Sequence, residues 1–551
     1  MALASVVVIP ARDEEQQIPG CMAALGAQTV PREEFEVIVV LDACSDRTAD
    51  VARRAASELS LRLLLVDGPG TGAGAARRAG MDLAAERLLA QGIDDGLVAS
   101  TDADSRPARD WLARQLAHIR AGVHVVAGLI ELAPDESEQL PLEVLRRRER
   151  DAADRLARVR RADPTAAHHH FAGASIGVTA GLYRAVGGLE PVTALEDAAF
   201  AHRLAQAGIP ILRPDDVRVR TSARPNGRAT RGLSVDLAVS SWAAERRYEA
   251  GAFPPERLRV EKLTTSVAVV IPTKECADTL AGVLSGTVGP LRDAGVVDEV
   301  LVIDADSADG TADIGRTAGA TVICQDDVLP GYGPALGKGD AMWRALHVCD
   351  ADIVCFLDGD TANPDPRHLQ GLIGPLLGDP SLHLVKGAFD RPLLAGGVAF
   401  PNEGGRVTEL MARPLLNLHE PRLAGFAQPL AGEFAGRREL FESIPFPVGY
   451  GVEIAVLIDA LRRHGLDALA ECQLGERQNR HQPLRALGEM AYAVLAAVER
   501  RNGAERSPIG GHYLRPWQDC AVAEVAVTER PPLASLPAAA FGAEQVAGRL
   551  R

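Results

Sequence analysis

Two acidic pairs in this 551-residue chain have the type and spacing to do chemistry. Asp358-Gly359-Asp360 ends the apolar run Ile353-Val354-Cys355-Phe356-Leu357, and Asp102-Ala103-Asp104 ends Leu97-Val98-Ala99-Ser100-Thr101. Carboxylates at i and i+2 past a strand end can turn towards one hard cation, and a departing diphosphate needs such a cation. Leu336-Gly337-Lys338-Gly339-Asp340 sets a lysine between glycines before a helical stretch, where close approach and positive charge suit phosphate. It lacks the upstream glycine and the following Ser/Thr of a P-loop. Gly404-Gly405-Arg406-Val407-Thr408-Glu409 combines glycine amides, a guanidinium and a hydroxyl at a helix start, which makes either an anion cradle or an ordinary helix beginning. Gly449-Tyr450-Gly451-Val452-Glu453 and Leu195-Glu196-Asp197 each hold an acid in a small apolar stretch. Glu453 and Asp197 stand 256 positions apart, as do Asp360 and Asp104, and an acid there can orient or deprotonate an acceptor hydroxyl.

Two weaker motifs accompany these. Gly70-Thr71-Gly72-Ala73-Gly74 has the look of a dinucleotide fingerprint but follows a later strand of its unit, so it reads better as a loop shaping a cleft. Adjacent strand residues alternate faces, so at most two of His168-His169-His170 can easily meet one ion, and the triplet reads as cleft lining.

The elements that must position these residues occur twice. Val6-Val7-Val8-Ile9-Pro10 returns as Ala268-Val269-Val270-Ile271-Pro272, and Glu36 to Asp42 returns as Glu299 to Asp304. Both prolines and both aspartates stand 262 positions apart. The spacing predicts two tandem α/β domains at 1–255 and 262–510, followed by an irregular, Pro-rich tail at 511–551. Continuous apolar runs alternating with helical periods predict parallel strands buried on both faces. Ligands then gather at the carboxyl ends of the strands, where Asp42, Asp104, Asp304 and Asp360 fall. The loops Pro10-Ala11-Arg12-Asp13-Glu14-Glu15 and Pro272-Thr273-Lys274-Glu275 follow the two first strands and suit a grip on a base or ribose; acids at a helix start explain them equally well.

The bulk numbers exclude some classes. A formal charge of -15 argues against nucleic-acid binding, which requires basic surfaces. The eight cysteines show neither zinc spacing nor a disulfide framework, so a reducing, cytoplasmic setting is expected. No apolar run approaches the roughly 20 residues of a membrane helix, and the apolar start is only about one strand long, so no leader or transmembrane segment is expected.

Together these motifs resemble the GT-A glycosyltransferase fold, a Rossmann-like nucleotide-diphospho-sugar transferase fold, present twice. In order, Pro272-Thr273-Lys274-Glu275, Gly337-Lys338-Gly339, Asp358-Gly359-Asp360, Gly405-Arg406-Val407-Thr408-Glu409-Leu410, Ala412-Arg413-Pro414, Gln428-Pro429-Leu430-Ala431-Gly432-Glu433 and Gly449-Tyr450-Gly451-Val452-Glu453 closely resemble the glucosyl-3-phosphoglycerate synthases. The match runs over about 265–500, and Glu529-Arg530-Pro531-Pro532 in the tail is similar too. The resemblance implies transfer of glucose from UDP-glucose to 3-phosphoglycerate. Pro272, Glu275 and Lys338 would hold UDP, with Asp304 and Asp358 on the donor side. Asp360 would ligate Mg2+ or Mn2+, Gly405, Arg406 and Thr408 would cradle the acceptor, and Glu453 would stand at the reacting centre. It also implies a homodimer. The family has histidine, arginine, asparagine where this chain has Asn479-Arg480-His481, so either residue can be the metal ligand or the acceptor contact. Ala305 replaces a serine usual near the donor.

The first unit resembles family-2-type glycosyltransferases. That implies donor contacts from Pro10, Glu14, Asp42 and Asp102, a metal on Asp104, and Asp197 as the base for an unknown acceptor. Mannosyl transfer from GDP-mannose is a chemically close alternative for the second unit, separated from it by donor competition. A sugar-1-phosphate nucleotidyltransferase is the closest rival of another class, since it can share a similar nucleotide-binding sheet, but it needs a glycine-rich loop with arginine and lysine where Pro272-Thr273-Lys274-Glu275 stands.

Overall fold

The computed structural model describes residues 3–192, 194–227, 230–391, 404–477, 483–503 and 509–537, and the backbone of 393–395 and 398–400. It divides into two compact units, Met1–Ser241 and Trp242–Arg551.

The first unit is built on a six-stranded sheet. In spatial order its strands are Leu63–Asp67, Phe35–Leu41, Ser5–Ala11, Leu97–Ser100, Ile176–Thr179 and Val125–Ala127. The first four are mutually parallel, and Ile176–Thr179 runs antiparallel to both of its neighbours. Alternation along the strands explains why they are apolar throughout. Val7, Ile9, Val37 and Val39 pack with Met22 and Trp111 on one face, and Val6, Val8, Ile38 and Val40 pack with Met81, Leu88 and Phe200 on the other. A second, three-stranded sheet joins Ser105–Pro107, Arg218–Thr221 and Leu129–Leu132.

The second unit has an eight-stranded sheet in the order Arg247–Glu249, Leu469–Glu476, Leu384–Asp390, Phe434–Arg437, Ile353–Phe356, Val267–Thr273, Glu299–Asp304 and Thr321–Cys324. From Leu384–Asp390 onward this is the first unit's sheet again, including the antiparallel strand Phe434–Arg437. The repeat extends to individual hydrogen bonds. Asp13 and Glu275 both take positive φ, 51° and 52°. Thr48 Oγ1 accepts from Glu14 N at 2.7 Å, and Thr311 Oγ1 accepts from Cys276 N at 2.9 Å. Asp46 accepts from Glu15 N at 3.0 Å, and Asp309 accepts from Ala277 N at 2.9 Å.

The join lies earlier than residue 255. Arg247–Glu249 pairs in parallel with Glu471–Gln473 and so completes the second sheet's edge, while Pro254-Pro255 marks the start of the helix Pro255–Lys262. The tail beyond 511 is not irregular as far as residue 537. His512–Arg515 pairs with Ala521–Glu524, and Glu529–Arg530 pairs with Phe446–Pro447. Its prolines flank these short strands.

Candidate active site

In the second unit, the parallel strands deliver their following loops to one cavity of about 760 Å³. Lys338 opens the helix Lys338–Val348 behind Gly337, whose φ of 152° glycine adopts readily. Its Nζ lies 2.6 Å from Asp358 Oδ1 and 2.9 Å from Glu453 Oε1. Glu453 reaches this point from the first turn of the helix Val452–His464. Gly432 makes the approach possible: a Cβ there would stand 2.5 Å from Lys338 Nζ and 2.6 Å from Asp358 Oδ2.

The far side of Asp358 is held by Arg477, at the end of the strand Leu469–Glu476. Arg477 Nη2 donates to Asp358 Oδ2 at 3.0 Å and to Thr361 Oγ1 at 3.1 Å, and lies 3.8 Å from Asp360 Oδ1. Its Nη1 pairs with Glu433. Burial pushes the Asp358 carboxyl up, but the Lys338 and Arg477 cations outweigh it and hold the group well below the usual carboxylate range. Burial lowers the Lys338 ammonium, yet Asp358 and Glu453 together raise it above its ordinary value. Asp360 is raised by burial and by Asp358. Beneath this cluster lies Lys386, fully buried; burial brings its ammonium down to about 8, with Glu453 opposing. It donates to Ala431 O at 2.6 Å and so fixes the peptide that precedes Gly432.

Gly404, Gly405, Arg406, Thr408 and Arg391 also line the cavity. Gly405 takes φ 69° and Thr408 is buried. Burial and the neighbouring Arg477 push the Arg391 guanidinium down, so a negative group beside it is favoured. This loop is chemically suited to an anion.

Pro272, Lys338, Asp358, Asp360, Gly405, Arg406, Thr408 and Glu453, all singled out in the sequence, therefore share one cavity. Two others do not line it. The exposed Glu275 accepts from Ala308 N at 3.1 Å, and the buried Asp304 accepts from Thr273 Oγ1, Ser307 N and Ser307 Oγ at 2.9, 2.9 and 2.7 Å. Both hold the loops that face the cavity. Asn479 and His481 lie outside the described residues. Arg391, Lys386 and Arg477 were missed, and Glu433 stood in a motif without a role; the signal for Arg391 and Arg477 was only that each follows an acid at a strand end. The cavity wall from the tail, Glu524-Val525-Ala526, was also missed.

The first unit repeats the arrangement with arginine in place of lysine. Arg77 is buried, and its Nε donates to Glu196 Oε1 and its Nη2 to Asp102 Oδ1, both at 2.7 Å. Its Nη1 donates to Ser100 Oγ at 2.6 Å and Gly173 O at 3.0 Å. By these contacts Glu196, and not Asp197 as the spacing suggested, is the counterpart of Glu453. Gly173 matches Gly432, since a Cβ on it would stand 2.3 Å from Arg77 Cζ. Asp197 Oδ2 accepts from Gly173 N at 3.2 Å, and burial, then Glu196, raise its carboxyl. Arg224 Nη2 bridges Glu14 Oε1 at 2.5 Å and Asp104 Oδ2 at 3.1 Å. Burial and Asp102 push Asp104 up to about 7. Pro10 is buried in its strand. Both oxygens of Asp42 accept backbone hydrogen bonds, from Gly70 N at 2.7 Å and Gly72 N at 2.9 Å, so this glycine loop is anchored to a carboxylate.

Comparison with known proteins gives four findings. A model described as glycosyl transferase family 2 matches residues 6–179. Glucosyl-3-phosphoglycerate synthase from Mycolicibacterium smegmatis is 40% identical over 298 residues, 54% of this chain and 98% of that protein. Its namesake from Mycolicibacterium paratuberculosis is 42% identical over 282 residues, 51% of this chain and 85% of that one. Among solved structures, mannosyl-3-phosphoglycerate synthase from Rubrobacter xylanophilus is 43% identical, covering 54% of this chain and 99% of that chain with a TM-score of 0.49.

Proposed function

The chain belongs to the glucosyl-3-phosphoglycerate synthase family and is a glycosyltransferase, and from that premise we propose that its second unit transfers glucose from UDP-glucose to 3-phosphoglycerate. The observation that carries this reading is the pairing of two unlike walls in one cavity. One holds Lys338, Asp358, Asp360 and Glu453; the other holds Gly405, Arg406, Thr408 and Arg391. A nucleotide diphosphate needs cations and a metal ligand, and the acceptor brings a phosphate and a carboxylate that need guanidinium and amide donors.

Pro272 and Lys338 hold the donor, and Glu275 and Asp304 act by setting its loops. Mg2+ or Mn2+ fits at Asp360. This carboxylate is 46% exposed to the cavity, and the proximity of Asp358 that raises it is what a divalent cation would relieve. Asn479 through its amide oxygen or His481 through imidazole would complete the ligand set. The metal supplies neutralisation of the diphosphate as UDP leaves. Lys338 bridges Asp358 and Glu453 and offsets the charge on Asp358, and Glu453 orients the acceptor hydroxyl. In the first unit, the repeated geometry supports a second sugar transfer, with Asp102 and Asp104 on the donor side, positioned by Arg77 and Arg224 respectively, and Asp197 as base. Among the described residues, no helix is long and apolar enough to cross a membrane.

The test is UDP release by the full chain with UDP-glucose and Mg2+, with and without 3-phosphoglycerate. Release should depend on the acceptor. Arg406→Ala should raise the KM for 3-phosphoglycerate about tenfold or more, from the loss of a charged hydrogen bond. Asp360→Ala should remove metal-dependent turnover. Acceptor-independent release, or turnover with GDP-mannose alone, would overturn the reading.

A further inference from the structure

The first unit carries a run of arginines between Val125–Ala127 and Ile176–Thr179, although the chain as a whole carries -15. The helix Leu142–Val159 holds Arg146, Arg147, Arg148, Arg150, Arg155 and Arg158. Arg148, Arg155 and Arg158 recur on one side of it and, with Arg213, act on His169. None of those three makes an ion pair with a described residue. Asp151 and Asp236 offset part of their charge and Asp163 part of that on Arg213, all without an ion pair. Arg213 donates through Nη1 to Ile211 O at 3.2 Å, while its Nε is shielded from solvent with no hydrogen-bond partner.

The histidine triplet forms the other side. His168 is wired by Nε2 to Pro214 O at 3.1 Å, and its Nδ1 accepts from His170 N at 3.1 Å. His170 Nδ1 accepts from Ile130 N at 3.2 Å, which leaves the ring proton on Nε2. The His169 and His170 rings are 4.2 Å apart. Burial, assisted by these arginines and the neighbouring imidazoles, keeps the triplet below the usual histidine range, His168 at about 4 and His170 at about 3. At neutral pH the rings are uncharged donors beside charged ones.

The internal repeat places this cluster beside the counterpart of the acceptor loop. Gly173 matches Gly432, so the triplet occupies the position of Ala427-Gln428-Pro429, where Gln428 Oε1 lies 3.9 Å from where a Cβ on Gly405 would stand. The arginine helix lies between the strands Val125–Ala127 and Ile176–Thr179, and the corresponding insertion between Leu384–Asp390 and Phe434–Arg437 carries Gly405, Arg406 and Thr408. From His170 the chain runs through Phe171 and Ala172 to Gly173, whose N–H holds Asp197.

We propose that Arg148, Arg155, Arg158, Arg213, His169 and His170 form a phosphate-binding basin for the acceptor of the first unit. This rests on reading that unit as a transferase. Several guanidinium forks with neutral N–H donors match the oxygens of a phosphate monoester, either on a soluble molecule or on a lipid headgroup.

The test titrates inorganic phosphate calorimetrically into the full chain carrying Arg406→Ala, so that the second unit's cradle does not contribute. The same chain with Arg148→Gln, Arg155→Gln and Arg158→Gln added is the comparison. Saturable binding should weaken about tenfold or more in the triple variant and at high salt. Sedimentation with phosphatidic acid vesicles against phosphatidylcholine vesicles separates the sources: arginine-dependent capture by the former alone assigns a lipid headgroup, and phosphate binding without capture assigns a soluble acceptor. Equal phosphate affinity in both chains, or no saturable binding, would overturn the basin. UDP stoichiometry reports the underlying reading separately. Two sites falling to one in Asp102→Asn sustain a donor site in the first unit, whereas one site unaffected by that change removes the acceptor role and leaves only an anion site.

Discussion

At the scale of single residues, the second unit's site is a balance of buried charges about Asp358, with Lys338 on one side and Arg477 on the other. Gly432 is where this balance is most exposed to test. A methyl group there would meet Lys338 Nζ at 2.5 Å and Asp358 Oδ2 at 2.6 Å, so one of them must move. Displacement by about 1 Å in a reacting site costs about 100-fold in rate. Gly432→Ala should therefore lower kcat/KM by about that factor in steady-state assays, while circular dichroism stays as in the parent chain; unchanged activity would mean that the Lys338–Asp358 contact does not position the donor. Asp358, Asp360 and Lys338 were legible because a carboxylate pair behind an apolar strand, or a lysine between glycines, is a local pattern. Arg477, Lys386 and Glu433 were not, because each acquires its meaning from partners far away in the chain: Arg477 lies 119 positions from Asp358. The choice between Glu196 and Asp197 was equally hidden. Spacing matched Asp197 to Glu453, and only the reach of the Arg77 side chain makes Glu196 that counterpart, with Asp197 beside it as the proposed base.

At the scale of elements, the two-fold apolar pattern predicted the parallel strands and the repeat, but neither the antiparallel strand within each sheet nor the edges. Arg247–Glu249 lies in a polar stretch of three residues, too short for periodicity to register. The tail strand Glu529–Arg530 looked like a Pro-rich coil, yet it latches the helix that begins with Lys338. Arg530 donates to the fully buried Asp340 at 2.6 and 2.9 Å, and Trp343 Nε1 donates to Pro531 O at 2.8 Å. Arg530→Ala leaves Asp340 with Arg344 Nε at 3.2 Å as its side-chain cation. Loss of one partner of such a pair should cost about 1–3 kcal/mol and lower the second unit's Tm by several degrees in calorimetry. The KM for UDP-glucose should rise with it, because the same helix start presents Lys338. A parent-like Tm would show that the strand is held by other contacts.

At the scale of the whole molecule, one chain carries two α/β units that share the order of six strands, loop hydrogen bonds and a cation–diacid cluster, differing in the two further strands of the second sheet, in Lys338 against Arg77 and in the insertion before the antiparallel strand. The central claim is that the second unit makes a glucosylated phosphoglycerate. It is tested most directly by incubating the full chain with UDP-glucose labelled with 13C at the anomeric carbon, Mg2+ and 3-phosphoglycerate, and following the anomeric carbon by NMR. The account predicts a new anomeric signal that correlates with the carbon bearing the acceptor's one hydroxyl and that is absent with Asp360→Ala. A spectrum showing only UDP-glucose and free glucose, or a new signal that forms without 3-phosphoglycerate, would contradict it.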